Sequence, residues 1–285
     1  MIVGGMQSLS RLDRYLSEHH LVASRTLAQK VIRLGAVRIN GVIEYDVARI
    51  VTPADKVEVA AHALLDYVSQ GALKLIKAVQ TFGISFQGLR VWDIGASTGG
   101  FTQCVLGYGA SVVYATDVGH GQLHSSLRAD SRVHVAEGLN VKDVTPAFFA
   151  PTEGIDCAVC DVSFISLQAV FPVLSTVLPS MGWAICLVKP QFEMGAKFAN
   201  KRGVVVGVAQ HEKILKETVA VANSFGLFAE AITFSPLGDG KEKNIEYLLL
   251  LRRGKEGKGL VSAEISDVVH AAHAQGGVGI NRVGK

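Results

Sequence analysis

At 285 residues, 49% of them hydrophobic, the chain is long enough for one large domain plus a small accessory and apolar enough to bury a core. A net charge of +3 argues neither for nor against nucleic acid as a partner, and four cysteines in this length make no disulfide framework. No uncharged apolar run approaches the roughly 18 residues of a bilayer span, and MIVGGMQS has no basic stretch ahead of a long apolar one, so neither an anchor nor a secretory leader is expected and a cytoplasmic location is.

Residues 8–60 read as a small α+β domain. RLDRYLSEH and SRTLAQKVIRLG have helical spacing, with Ser24 as N-cap and Gly35 as stop, and VRIN and DKVEVA read as short strands. Between residues 11 and 40, Arg11, Arg14, Arg25, Lys30, Arg33 and Arg38 stand against Asp13 and Glu18. Such a patch suits a phosphate backbone, or else is the solvated face of a helix. AHALLDYVSQ has no strong periodicity, and a linker is placed in it at residues 61–67. Over 68–253, the strand-like runs RVWDI, SVVYATD, RVHVA, IDCAVCDV and WAICLV alternate with segments able to form crossover helices. That alternation predicts an α/β fold with a mostly parallel sheet covered on both faces. Cys157 and Cys160 have metal-like spacing, but residues three apart in a strand face opposite ways, so core thiols are expected and no metal site. The tail, 254–285, is basic and glycine-rich before turning helical at SAEISDVVHAAHA; it either caps the core or stays mobile.

The stretch VWDIGASTGGFT, residues 91–102, carries the first chemistry. A strand ending in Asp93 runs through Gly95, Gly99 and Gly100 into the helix-like FTQCVLGYG. Glycines let a backbone approach a ligand, and a helix start offers unpaired N–H groups. The spacing is not G-x-G-x-x-G, so a dinucleotide pyrophosphate fits poorly. Asp93 suits a ligand with an amine, and Asp117, ending the next strand, suits ribose hydroxyls; together they favour S-adenosylmethionine. Gly95, Ala96, Ser97, Gly99 and Phe101 would wall its pocket, and Asn140, after the third strand, would touch the adenine. The competing reading is a tight turn that holds nothing.

SRLDRYL, SRTLAQKVIRLGAVRING, YVSQGALKL, DIGASTGGFT, DVGHGQLH, CDVSFISL, LVKPQFE and KNIEYLL are similar to segments of the TlyA family of rRNA 2'-O-methyltransferases, also called haemolysin-like, over about Ser10 to Leu251. The resemblance implies an N-terminal S-four RNA-binding domain with Arg11, Arg25, Lys30, Arg33 and Arg38 on phosphates, followed by a Rossmann-like, S-adenosylmethionine-dependent domain related to the FtsJ methyltransferases. It implies a Lys-Asp-Lys-Glu catalytic group, here Lys74, Asp161, Lys189 and Glu246, and methylation of a cytidine ribose in rRNA, with the large ribosomal subunit, then the small one, as partners. Gln70, His120 and Lys243 depart from the family pattern without removing any of the four.

A ribose hydroxyl holds its proton at neutral pH, so a base or strong acceptor must engage it as the methyl moves. Lysine serves only where burial or a nearby cation lowers its pKa. Lys74 and Lys189 are expected to do that to each other, with Asp161 and Glu246 orienting the amines and Lys189 nearest the hydroxyl. Taken without the resemblance, Asp161 and Lys189 could form a structural ion pair, Lys74 could be a surface lysine like Lys77, and Glu246 is an ordinary strand glutamate.

Other readings remain open. A ribosome-assembly factor with a vestigial methyltransferase fold would not bind S-adenosylmethionine. A membrane-active haemolysin is opposed by the lack of a spanning run. A methyltransferase acting on a base calls for a catalytic cysteine or an Asn-Pro-type site near the fourth strand, where this chain has CDVSF and, on the fifth, VKPQF.

Overall fold

The computed structural model describes residues 9–33, 35–59, 67–193, 203–237, 244–254 and 259–277, in two compact units that divide after residue 66. All of the expected linker except Tyr67 lies outside the described residues, as does Lys243.

In the N-terminal unit β1 (Ser10–Arg11) leads into α1 (Leu12–Glu18) and α2 (Arg25–Arg33), followed by β2 (Val37–Ile39), β3 (Val42–Ile43), β4 (Ile50–Val51) and β5 (Val57–Val59). Strand β2 pairs antiparallel with β3 and β5, and β1 with β4. Ser24 caps α2 by accepting the Leu27 N–H at 3.1 Å. Gly35 follows at φ +70, a left-handed backbone that favours glycine, and a Cβ there would crowd the Tyr45 ring. Leu12 and Leu16 from α1 and Ala28, Val31 and Ile32 from α2 are buried, each set at helical spacing.

The second unit opens with α3 (Gly71–Phe82) and continues with β6 (Arg90–Ile94), α4 (Gly100–Gly107), β7 (Val112–Asp117), α5 (Ser125–Arg128), β8 (Val133–Glu137) and β9 (Cys157–Cys160). It ends with α6 (Phe171–Val177), β10 (Trp183–Val188), α7 (Pro190–Glu193), α8 (Val208–Ser224), β11 (Leu227–Phe234), β12 (Tyr247–Arg253) and α9 (Ser262–Gly277). The strands form one sheet in the order β11-β12-β10-β9-β6-β7-β8, parallel except for β12, which runs antiparallel to both neighbours. The chain's first strand in this sheet, β6, therefore lies between β7 and β9, and the crevice at their carboxyl ends is where open α/β sheets bind ligands. Every residue of β9 is buried, as expected of a strand covered on both faces. All four cysteines are buried free thiols, and Cys160 pairs in register with Cys186 on β10. Helix α9 lays Ile265, Val269 and Ala272 into the core beside α8 and β11, so the helical part of the tail caps the core.

Candidate active site

The chain leaves β6 through a turn that only glycine can make. Gly95 has φ +80, and a Cβ there would stand 2.8 Å from the Asp161 carbonyl oxygen, in the backbone leaving β9. The turn is tied to β7 by one carboxylate: Asp117 Oδ2 accepts the Ser97 N–H at 2.8 Å and Oδ1 the Gly119 N–H at 2.7 Å. Asp93, expected to hold an amine, keeps one buried carboxylate oxygen, Oδ1, without a partner among the described residues. It is fully buried, lines neither cavity described below, and accepts from Thr102 Oγ1 at 2.6 Å, joining β6 to α4 from inside. Burial pushes its carboxyl up to about 7, against the Thr102 hydrogen bond.

Two cavities open at the crevice. The larger, about 630 Å³, is lined by Gly95, Ser97, Asp117 and Asn140 among the expected residues, and also by Val118, Gln122, Leu139, Val162 and Ile165. Phe164 lines it too, with φ 63, an unusual backbone for an aromatic residue, and a nearly fully exposed ring 5.1 Å from that of Phe192. The smaller, about 300 Å³, is lined by Ala96 and Phe101 and by Lys74, Asp161 and Lys189. Gly95, Ser97, Asp161 and Ser163 line both, so the cavities share a wall. Gly99 lines neither: a Cβ there would run into Leu127. The loop over the larger cavity is pinned by Glu137, whose carboxylate accepts the Gly121, Gln122 and Leu123 N–H groups at 2.8, 2.9 and 3.1 Å and pairs with Arg128 at 2.8 Å. These bonds, that of Arg128 foremost, hold Glu137 down at about 2.

The four titratable residues assemble from four separate places: Lys74 on α3, Asp161 just past β9, Lys189 just past β10 and Glu246 just before β12. Asp161 bridges the two lysines, Oδ1 to Lys189 Nζ at 2.6 Å and Oδ2 to Lys74 Nζ at 3.5 Å. Glu246 meets Lys74 at 2.8 Å, and Lys189 also donates to Ser163 Oγ at 2.7 Å. Lys74 is not lowered as expected. Burial pulls Lys74 down, but Asp161 and Glu246 outweigh it and leave its ammonium above the ordinary lysine value. Lys77, one turn along α3, lines neither cavity.

In the N-terminal unit, Arg11 and Arg25 both reach Asp13, and Arg38 on β2 donates to the Gly41 carbonyl at 2.8 Å from an exposed position. Lys30 and Arg33 fall on α2, and their side chains lie outside the described residues.

Residues 67–253 match the FtsJ-like methyltransferases and residues 10–57 the S4 domain. The 16S/23S rRNA (cytidine-2'-O)-methyltransferase TlyA of Mycobacterium tuberculosis is 36% identical over 271 residues, which cover 95% of this chain and 100% of that protein. The chain belongs to the TlyA family. Hemolysin A of Brachyspira hyodysenteriae is 40% identical over 238 residues, 84% of this chain and 98% of that one. A solved Streptococcus thermophilus structure that carries a haemolysin label superposes with a TM-score of 0.70 at 36% identity, over 94% of this chain and 96% of that one. The catalytic unit of this TlyA-family chain is thus an FtsJ-like methyltransferase that depends on S-adenosylmethionine. The larger cavity fits that cofactor: it has the volume of a small-molecule site, apolar lining from Val118, Leu139, Val162 and Ile165, and a carboxylate, Asp117, at the end of β7. Ser163 and Glu137 escaped the sequence reading. A serine two residues past Asp161 and a strand-end glutamate carry no signal until the loops they serve are in place.

Proposed function

We propose that the chain transfers a methyl group from S-adenosylmethionine to the ribose 2'-hydroxyl of a cytidine in ribosomal RNA, in the cytoplasm, with large-subunit rRNA as the main substrate and small-subunit rRNA as a further one. The observation that carries this reading is the meeting of Lys74, Asp161 and Lys189 in a chamber that shares its wall with the cofactor cavity, with Glu246 paired to Lys74 from outside the chamber lining. Lysines taken this far out of solvent are costly unless they do chemistry or are paired. Here they line a space open to an acceptor.

S-adenosylmethionine supplies an electrophilic methyl carbon next to a sulfonium. Asp117, Ser97, Gly95 and Asn140 would hold it in the larger cavity. Lys189, ion-paired with Asp161 at 2.6 Å and donating to Ser163 Oγ, would engage the acceptor hydroxyl and, as the neutral amine, take its proton on the nitrogen lone pair. Lys74, kept an ammonium by Asp161 and Glu246, holds Asp161 in place and sets a fixed positive charge beside the oxygen as it loses its proton. The S4 unit docks the RNA through Arg11, Arg25 and Arg38, with Lys30 and Arg33 on the same side of the division of labour. Methyl transfer from labelled cofactor to isolated subunits, followed by mapping of the modified atom, tests the reading. Methyl on a base would sink it, as would a chain that fails to bind S-adenosylmethionine, which is the behaviour of a vestigial site.

A further inference from the structure

Arg11 and Arg25 come from different elements, the end of β1 and the start of α2, yet both reach one carboxylate. Asp13 is fully buried; its Oδ1 accepts from Arg11 Nε at 3.3 Å, while Oδ2 accepts from Arg25 Nε at 3.0 Å and Gln29 Nε2 at 2.8 Å. Its own N–H is tied to the Val47 carbonyl at 3.2 Å, so the carboxylate is fixed from both ends. A buried charge survives only when paired, and here burial, which pushes Asp13 up, is outweighed by the bonds from Gln29, Arg25 and Arg11, which leave it below the usual carboxylate range. The two arginine side chains it holds remain 45% and 56% exposed. A guanidinium carries five N–H donors, so most of each set is left over for an outside anion.

We propose that Asp13 is a positioning residue for RNA docking: a hidden carboxylate that holds two exposed guanidiniums side by side as a preformed clamp for backbone phosphate, so that an acidic residue strengthens binding to a polyanion. The inference rests on the reading that the S4 unit docks RNA through these arginines. Its physical reason is entropic and geometric. A free arginine must be ordered when it binds, whereas one already held in a fork geometry loses less and presents its donors bidentately.

The sign of the effect separates positioning from charge counting. Removing a negative charge beside a polyanion should tighten binding and steepen its salt dependence. Positioning demands the opposite, since asparagine would turn an N–H donor toward a guanidinium that needs an acceptor. Binding of the full-length chain to deproteinised large-subunit rRNA, followed from about 50 to about 200 mM salt, reads both. Arg11→Ala and Arg25→Ala come first, and unchanged affinity in both would mean that the docking reading itself has failed. Where they weaken binding, Asp13→Asn, assayed well below its own melting temperature, should weaken it about tenfold and flatten the salt slope, with cofactor affinity unchanged. Equal or tighter binding overturns the inference. Arg25→Lys keeps the charge but not the fork, and Gln29→Ala loosens the carboxylate without removing charge. Both should also weaken binding several-fold, and they carry the test if Asp13→Asn does not fold; wild-type affinity in both overturns it. In the Arg11→Ala/Arg25→Ala background, Asp13→Asn should add nothing, and a persistent tenfold loss there would show that Asp13 acts by another route.

Discussion

Asp161 and Asp13 are each a carboxylate held between two cations, but what is buried differs. Around Asp161 the cations are hidden, with Lys74 and Lys189 side chains 14% and 8% exposed, and all three face a chamber. Around Asp13 the carboxylate is hidden and the arginines face solvent. Hidden amines feel each neighbouring charge with little screening, so their protonation is set by the protein. Exposed guanidiniums stay charged whatever surrounds them, and their attraction to an anion is screened by salt. One arrangement of charges thus serves chemistry where lysine is enclosed and recognition where arginine is exposed.

Breaking the enclosed cluster should have the largest effect. Lys189→Ala is expected to lose about a hundredfold or more in single-turnover methyl transfer while cofactor and RNA still bind, as removal of a general base does. Asp161→Asn should match it, since Asp161 orients both amines. Lys74→Ala and Glu246→Gln should be damaging as well, and Lys77→Ala mild. Because the four act as a unit, double variants should fall little below the worst single one. Near wild-type transfer to a ribose by Lys189→Ala would remove it from the mechanism.

Next in size is Asp117→Ala. It deletes an acceptor for one backbone N–H of the turn after β6 and one of the loop after β7 as well as the expected ribose contact, and should cost about 1.5–3 kcal/mol in S-adenosylmethionine affinity by calorimetric titration. An unchanged affinity would take Asp117 out of the site. On the exposed side, neutralising Arg11, Arg25 and Arg38 together should lower rRNA affinity roughly tenfold at physiological salt and flatten the salt dependence by up to about 0.9 per lost phosphate contact. Cofactor binding should be untouched, and a parallel loss there would blur the contrast between the two regions.

The smallest effect is confined to acid. Glu137 is held at about 2 in the fold against about 4.3 in an unfolded chain. A depressed folded value means that its stabilisation of the 121–123 loop is complete above the unfolded pKa and is lost as pH falls from there toward 2. Melting temperature of the wild type should therefore drop over that window more steeply than that of Glu137→Gln, and parallel curves would show that the loop does not depend on this carboxylate.

The sequence alone determined the alternation of buried strands with helices, the glycine turn after Asp93 and the basic character of the first unit, because periodicity and glycine placement are local properties of the chain. Resemblance added which lysines and carboxylates to watch. The tertiary structure decided what those residues do to one another. Lys74 and Asp161 are 87 positions apart and meet only because β9 inserts beside β6 rather than following β8 in space. Periodicity reports which face of an element is buried, not which element covers it. For the same reason the sequence could not show that Asp93 turns inward to Thr102, that Asp161 bridges two lysines, or that α9 covers the core. Nor could it show that Asp13, the one acid amid the arginines of SRLDRYL and SRTLAQK, is the residue that holds Arg11 and Arg25 in place, since a buried carboxylate and an exposed one have the same letter and differ only in what folds over them.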